Sequence, residues 1–195
     1  MKTIGLLGGM SWESSVLYEE LINTEVRERL GGVTSADLLV RSYNFAEIEA
    51  LQTAGDWDKA GALLARDARL LQDAGAEVIA MCTNTMHQVA PAIEDALDVS
   101  FVHICDAIAG AVKQERINTV GLIGTRFTME QDFYRERLER SGLEVIVPPE
   151  DERSMIHDVI YDELVRGELN RSSHESFLDV IDRLGATGAL SLIHI

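Results

Sequence analysis

The sequence predicts an α/β protein built of two like parallel-sheet domains. Three observations carry that prediction. Short apolar, β-branched runs alternate with segments of helical periodicity along the chain, as strands joined by crossover helices do. Ile4-Gly5-Leu6-Leu7-Gly8 returns as Val120-Gly121-Leu122-Ile123-Gly124 at an offset of 116, which also pairs Tyr18 with Tyr134 and Ile22 with Leu138. Leu71, Gly75, Ala76 and Ile79 match Leu184, Gly188, Ala189 and Leu192 at an offset of 113. Two halves, residues 1–113 and 118–195, are then expected to face each other across a cleft, with a boundary at Gln114 to Ile117.

Lys2 to Gly8 reads as the first strand, ending in Gly8-Gly9-Met10-Ser11. Val16, Tyr18, Leu21, Ile22, Val26 and Leu30 recur at helical spacing from Trp12, and Gly31-Gly32 stops that helix. Ala36 to Val40 is a second strand, followed by a short helix from Phe45 to Ala54 and a longer one from Gly55-Asp56 through Asp73. Ala76 to Met81 is the third strand, Met86 to Leu97 a helix with Pro91 in its first turns, Ser100 to Ile104 the fourth strand, and Asp106 to Lys113 a helix. In the second half, Glu144 to Val147 is a strand that Pro148-Pro149 breaks, and Asp151 to Val165 is a helix. Ser172-Ser173-His174-Glu175 reads as a capping box opening a helix to Leu184, and Leu190 to Ile195 is a last strand.

The chain has 195 residues and a formal net charge of −16, which argues against nucleic acid or an anionic membrane as partner. No apolar run approaches the ~20 residues of a membrane helix. Two cysteines, Cys82 and Cys105, make no disulfide framework, so a reducing cytoplasm is expected. Gly8-Gly9 lacks the GxGxxG spacing of a dinucleotide site. Cys82 with His87 and His103 with Cys105 lack the spacing of a structural zinc site, so no metal is expected.

The chemistry-bearing stretch is Val78 to His87, an apolar strand that runs out into Cys82-Thr83-Asn84-Thr85. Ligands of open α/β sheets bind at such turns, at the carboxyl ends of strands, and the helix start behind it offers free N–H groups to an anion. The plainer reading is that Thr85 merely caps the next helix. Two like loops suit a reaction that takes a proton from one face of an α-carbon and returns it to the other, with donors holding the carboxylate. Asn84, Thr85, Thr125 and the amides after Gly8 and Gly124 are candidate donors. Arg126 suits a substrate carboxylate as well as an exposed salt bridge. Cys105 reads as a small buried hydrophobe and His157 as a satisfied core histidine.

The stretches Ile4-Gly-Leu-Leu-Gly-Gly-Met-Ser-Trp-Glu-Ser14, Cys82-Thr-Asn-Thr-Met-His87 and Gly124-Thr-Arg-Phe-Thr-Met-Glu-Gln-Asp-Phe-Tyr134 resemble the aspartate/glutamate racemase family, most of all its bacterial branch of L-aspartate/glutamate-specific and broader amino-acid racemases. The resemblance runs from Met1 to about Ala189. It implies two Rossmann-like domains, a cofactor-independent two-base reaction on a small amino acid, and a homodimer. It places Met10, Gln52, Thr83, Asn84, Thr85 and Thr125 at substrate contacts. Without it, Met10 reads equally as core filler and Gln52 as a solvated helix residue.

Two departures from the family pattern bear on activity. Asn84-Thr85 sets the register, so Thr83 stands where most of the family has its catalytic cysteine, and Cys82, one residue earlier, is the weaker candidate because adjacent strand residues point to opposite faces. The family's second Gly-Cys-Thr-Glu loop falls beyond Ile195, which the repeat sets opposite Cys82. The expectation is therefore a truncated or frame-shifted racemase impaired by a missing second catalytic residue. A hydantoin racemase or maleate isomerase type of enzyme, or a non-enzymatic small-ligand binder, are the alternatives.

Overall fold

Seven short strands in the computed structural model, which describes residues 1–194 (the last by its backbone alone), form two wholly parallel sheets. The first holds β1 (Ile4–Gly8), β2 (Leu38–Ser42), β3 (Val78–Met81) and β4 (Ser100–Val102) in the order β2-β1-β3-β4. The second holds β5 (Thr119–Ile123), β6 (Glu144–Ile146) and β7 (Ser191–His194) in the order β6-β5-β7. They belong to two compact units, Met1–His103 and Ile104–Ile195. Ile195, expected opposite Cys82, lies outside the described residues.

The repeat holds down to strand register. Gly5 pairs with Ile79 in the first sheet as Gly121 pairs with Leu192 in the second, and Leu7 pairs with Met81 as Ile123 pairs with His194. Gly75 and Gly188, which end equivalent helices, have matching positive φ values of 110° and 107°, a conformation that favours glycine.

In the first unit α1 (Trp12–Leu30), α2 (Phe45–Ala54), α3 (Trp57–Asp73) and α4 (Ala90–Ala96) link the strands. The core packs α2, α3 and the segment after β3 on the sheet, through Ile48, Leu64, Ala68, Ile79, Met81, Met86 and Ile93. Helix α1 departs from this plan: none of its 19 residues is buried, and Trp12, Val16, Leu17 and Leu21 are exposed. In the second unit α5 (Ile104–Gln114) and α7 (Asp132–Arg140) contribute to one cluster around Cys105, Val120, Leu122, Tyr134 and Leu138. A second cluster, with Ile123, Met129, Ile156, Val180 and Leu184, draws on α6 (Arg126–Glu130), α8 (Glu150–Asp162) and α9 (Arg171–Ala186).

Several boundaries depart from the sequence reading. The helix expected from Met86 is a 3-10 turn, Thr85–Val89, followed by α4 from Ala90. Pro91 has no N–H to give to His87, so the α-helix starts with proline in its first turn. Strand β4 stops at Val102 because α5 begins at Ile104. The expected capping box does not form: Asn170 is the N-cap of α9, Ser172 lies inside the helix, and Glu175 pairs with Arg171 at 2.9 Å.

Candidate active site

The turn between β1 and α1 depends on two glycines. Gly9 has φ +78°, and a Cβ there would stand 2.4 Å from the Tyr43 nitrogen and 2.5 Å from its oxygen. The loop after β2 therefore closes on the β1 exit, where the Tyr43 N–H donates to the Gly8 carbonyl at 3.0 Å. A Cβ at Gly8 would meet the Ser15 Oγ at 2.6 Å. That hydroxyl accepts from the Gly9 N–H at 2.7 Å and donates to the Ser11 carbonyl at 3.2 Å.

Beside this turn, β3 delivers Cys82 to Thr85. The Cys82 N–H donates to the Leu7 carbonyl at 2.9 Å, so the ladder with β1 continues one residue past Met81. Met81, Cys82, Thr83 and Thr85 are buried and Asn84 half-buried. Burial pushes the Cys82 thiol up to about 12, which leaves it protonated at neutral pH. Burial and then the neighbouring Cys82 raise the Tyr18 phenol to about 12 as well.

Two side chains grip consecutive carbonyls of this turn. Ser14 Oγ donates to the Cys82 carbonyl at 3.0 Å. His87 Nδ1 lies 2.7 Å from the Thr83 carbonyl; a carbonyl only accepts, so Nδ1 carries the proton. The His87 ring is 1% exposed, with the His103 ring edge-on at 4.5 Å and Phe101 at 5.8 Å.

Gln52, read without the resemblance as solvated, is instead 3% exposed, and its amide donates to the Met86 sulfur at 3.1 Å. Met10 is 4% exposed and shares a core cluster with Tyr43, Met81 and Met86. Of the expected residues, the first unit thus carries Met10, Gln52, Cys82, Thr83, Asn84 and Thr85. The helix start expected behind the turn takes a different form. A 3-10 segment, Thr85–Val89, comes first and α4 follows from Ala90, with Asn84 at the 3-10 N-cap in helical conformation and without a side-chain cap. For the same reason Thr85 is not the helix cap of the plainer reading.

Thr125 lies in the second unit, at the N-cap of α6. Its Oγ1 accepts from the Thr128 N–H at 3.4 Å and lies 3.2 Å from the Thr128 hydroxyl. The backbone N–H of exposed Arg126 donates to His157 Nδ1 at 3.2 Å, and burial together with the Arg126 charge lowers the His157 pKa. His157 is half-buried with a polar role, rather than a core residue. Cys105 is the buried small hydrophobe expected. Among the described residues no group of three or more His, Cys, Asp or Glu is arranged to hold a metal ion. A cavity of about 710 Å³ lies elsewhere in the second unit, under Phe177, Leu178, Ile181 and Leu192, so concavity alone does not mark the Thr83 turn.

The sequence reading missed Ser14, Thr128 and the grip of His87. The signal for His87 was its separation of four residues from Thr83, helical spacing across a turn.

The family model described as Asp/Glu/Hydantoin racemase matches residues 7–193. The chain belongs to that racemase family. It is 48% identical to a Yersinia pestis protein provisionally described as an Asp/Glu racemase, over 100% of this chain and 85% of that one, with a TM-score of 0.92. An aspartate racemase homologue from Pyrococcus horikoshii is 32% identical, over 100% of this chain and 84% of that one, with a TM-score of 0.80. A glutamate racemase from Francisella tularensis, in complex with D-glutamate, shares the fold at 16% identity and a TM-score of 0.64, over 99% of this chain and 67% of that one. Membership in the racemase family makes the chain one of the isomerases that act on amino acids.

Proposed function

We propose that the protein removes the α-proton of aspartate, glutamate or a similar small amino acid without a cofactor, with Thr83 as the first acid/base group. The observation that carries this is the place of Thr83 at the β3 exit, with the carbonyls on both sides of it held by side chains. Cys82 is wholly buried with its thiol pushed up to about 12, whereas Thr83 is 8% exposed in a turn gripped on both sides. A hydroxyl is intrinsically a poorer base than a thiol, so Thr83 is assigned on its register with the family's usual catalytic cysteine and not on basicity. Met10, Gln52, Asn84, Thr85 and Thr125 are proposed to contact the substrate. The D-glutamate held by the Francisella relative supports a ligand of that class.

Racemisation also needs a second group, to reprotonate the opposite face. A homodimer and a cytoplasmic setting belong to this reading, and two free cysteines fit a reducing compartment.

Proton NMR of L- and D-aspartate and L- and D-glutamate in D2O tests it. The expected result is loss of the α-proton signal of one enantiomer, abolished by Thr83→Ala and kept in Cys82→Ala. Exchange that survives Thr83→Ala but dies in Cys82→Ala reverses the assignment. Binding without any exchange favours a small-ligand binder.

A further inference from the structure

We propose that His87 is a positioning residue for Thr83: by donating from Nδ1 to the Thr83 carbonyl it fixes the peptide that aims the Thr83 hydroxyl. This rests on the reading of Thr83 as the acid/base group. Were the segment after β3 an α-helix, the His87 backbone N–H would go to the Thr83 carbonyl four residues back. It goes to the Asn84 carbonyl instead, at 3.0 Å, in the tighter 3-10 spacing. The Thr83 carbonyl is left to the imidazole of the same residue, at 2.7 Å.

Both groups are enclosed, the ring at 1% and Thr83 at 8% exposure, so water offers the carbonyl little substitute. The ring cannot swing away, because His103 stands edge-on at 4.5 Å on one side and Phe101 lies at 5.8 Å. With Ser14 on the preceding carbonyl at 3.0 Å, the peptides on either side of the Thr83 α-carbon are both held by side chains. The Thr83 hydroxyl is thereby left only its own side-chain rotation. A displacement of about 1 Å in a reacting group lowers rates by roughly 100-fold.

The experiment compares wild type, His87→Leu and His87→Asn by α-proton exchange in D2O, with thermal midpoints alongside. His87→Leu is expected to lower kcat by about 10- to 100-fold with KM within about threefold. His87→Asn, whose amide also donates, is expected to recover most of that loss. Long-range 1H–15N spectra of the wild type are expected to show His87 protonated at Nδ1. A proton on Nε2 alone, an unchanged kcat in His87→Leu, or equal losses in both variants that follow their thermal midpoints overturns the proposal. A wild type that exchanges no α-proton overturns the Thr83 reading and this proposal with it, whereas wild-type exchange with an unaffected His87→Leu overturns this proposal alone.

Discussion

Gly5 and Gly121 occupy the same place in the two sheets, and each faces the same three neighbours. A Cβ at Gly5 would stand 2.5 Å from the Ile79 Cδ1, 3.0 Å from the Ala76 Cβ and 3.2 Å from the Leu71 Cβ. At Gly121 the equivalents are Leu184 at 3.2 Å, Ala189 at 3.3 Å and Leu192 at 3.4 Å. In each unit the third strand, the turn before it and the helix before that close on the first-strand glycine, more tightly at Gly5 than at Gly121. Gly5→Ala is expected to lose about 2 kcal/mol and Gly121→Ala less than about 1, since overpacking that cannot relax is the more harmful. Urea midpoints check the order. Trp12 and Trp57, the only tryptophans, both lie in the first unit and report on Gly5→Ala by fluorescence, while circular dichroism follows the second unit. Equal losses would show that the first unit relaxes freely.

Both thiols are expected to be inert in the folded protein. Burial raises Cys82 and Cys105 to about 12, so at pH 8 roughly one molecule in ten thousand carries a thiolate at either site. Iodoacetamide at pH 8 is expected to label neither residue before urea is added and both afterwards. Rapid labelling of Cys82 in the native protein would make it a credible base after all.

A charged cluster ties the β2 exit to α3. Asp67 is 2% exposed and accepts from Arg41 at 2.9 Å and from Arg66 at 2.7 Å, and the Arg41 guanidinium lies over the Tyr43 ring at 4.3 Å. Burial alone would raise the Asp67 carboxyl, but hydrogen bonds from Arg66 and Arg41 outweigh it and hold the group below its ordinary range. A depressed folded pKa gives stability that is full above the unfolded value near ~3.9 and lost as pH falls through the folded one. Asp67→Asn is therefore expected to lose about 1–3 kcal/mol at pH 7. The difference from wild type should shrink below about pH 4. A constant difference across that window would point to packing rather than charge.

The sign is the same for His157, at a higher pH. Its pKa is lowered by burial and by Arg126, so below the unfolded value near ~6.5 the unfolded chain binds a proton that the folded one resists. Stability is expected to fall as pH drops through 6.5 and to level off once the folded value is passed. Protonating Nδ1 also ends its acceptance from the Arg126 N–H. His157→Gln is expected to flatten this slope, read as thermal midpoint against pH from about 7.5 to 5. The other four histidines are common to both proteins. An unchanged slope would sink the assignment.

Much of this was legible in the chain. The glycine spacing and the two offsets announced the duplicated sheets, because matching strand register and close helix approach favour glycine at both residues 5 and 121. The Cys82 to Thr85 turn was legible as well, since a β-branched run that stops in small polar residues marks a strand end. Gln52 was not: a polar residue on a helix reads as solvated, and its partner Met86 stands 34 positions away. Nor was the grip of His87. It depends on the choice between 3-10 and α spacing, which the sequence of the turn does not announce. The capping-box pattern misled because the helix starts earlier, with Asn170 at the N-cap position and Ser172 already inside the first turn.

Helix α1 has the least to lose by coming loose, for none of its residues is fully buried and it is moored by the hydroxyls of Ser14 and Ser15 and by the Asn23 amide oxygen, which accepts from the Ala36 N–H at 2.9 Å. In the language of hydrogen exchange, its amides should belong to a low-energy opening, well below the level at which α3 exchanges. Each such opening also lets go of the Cys82 carbonyl, so one breathing motion of a peripheral helix loosens one of the two holds on the turn that presents Thr83.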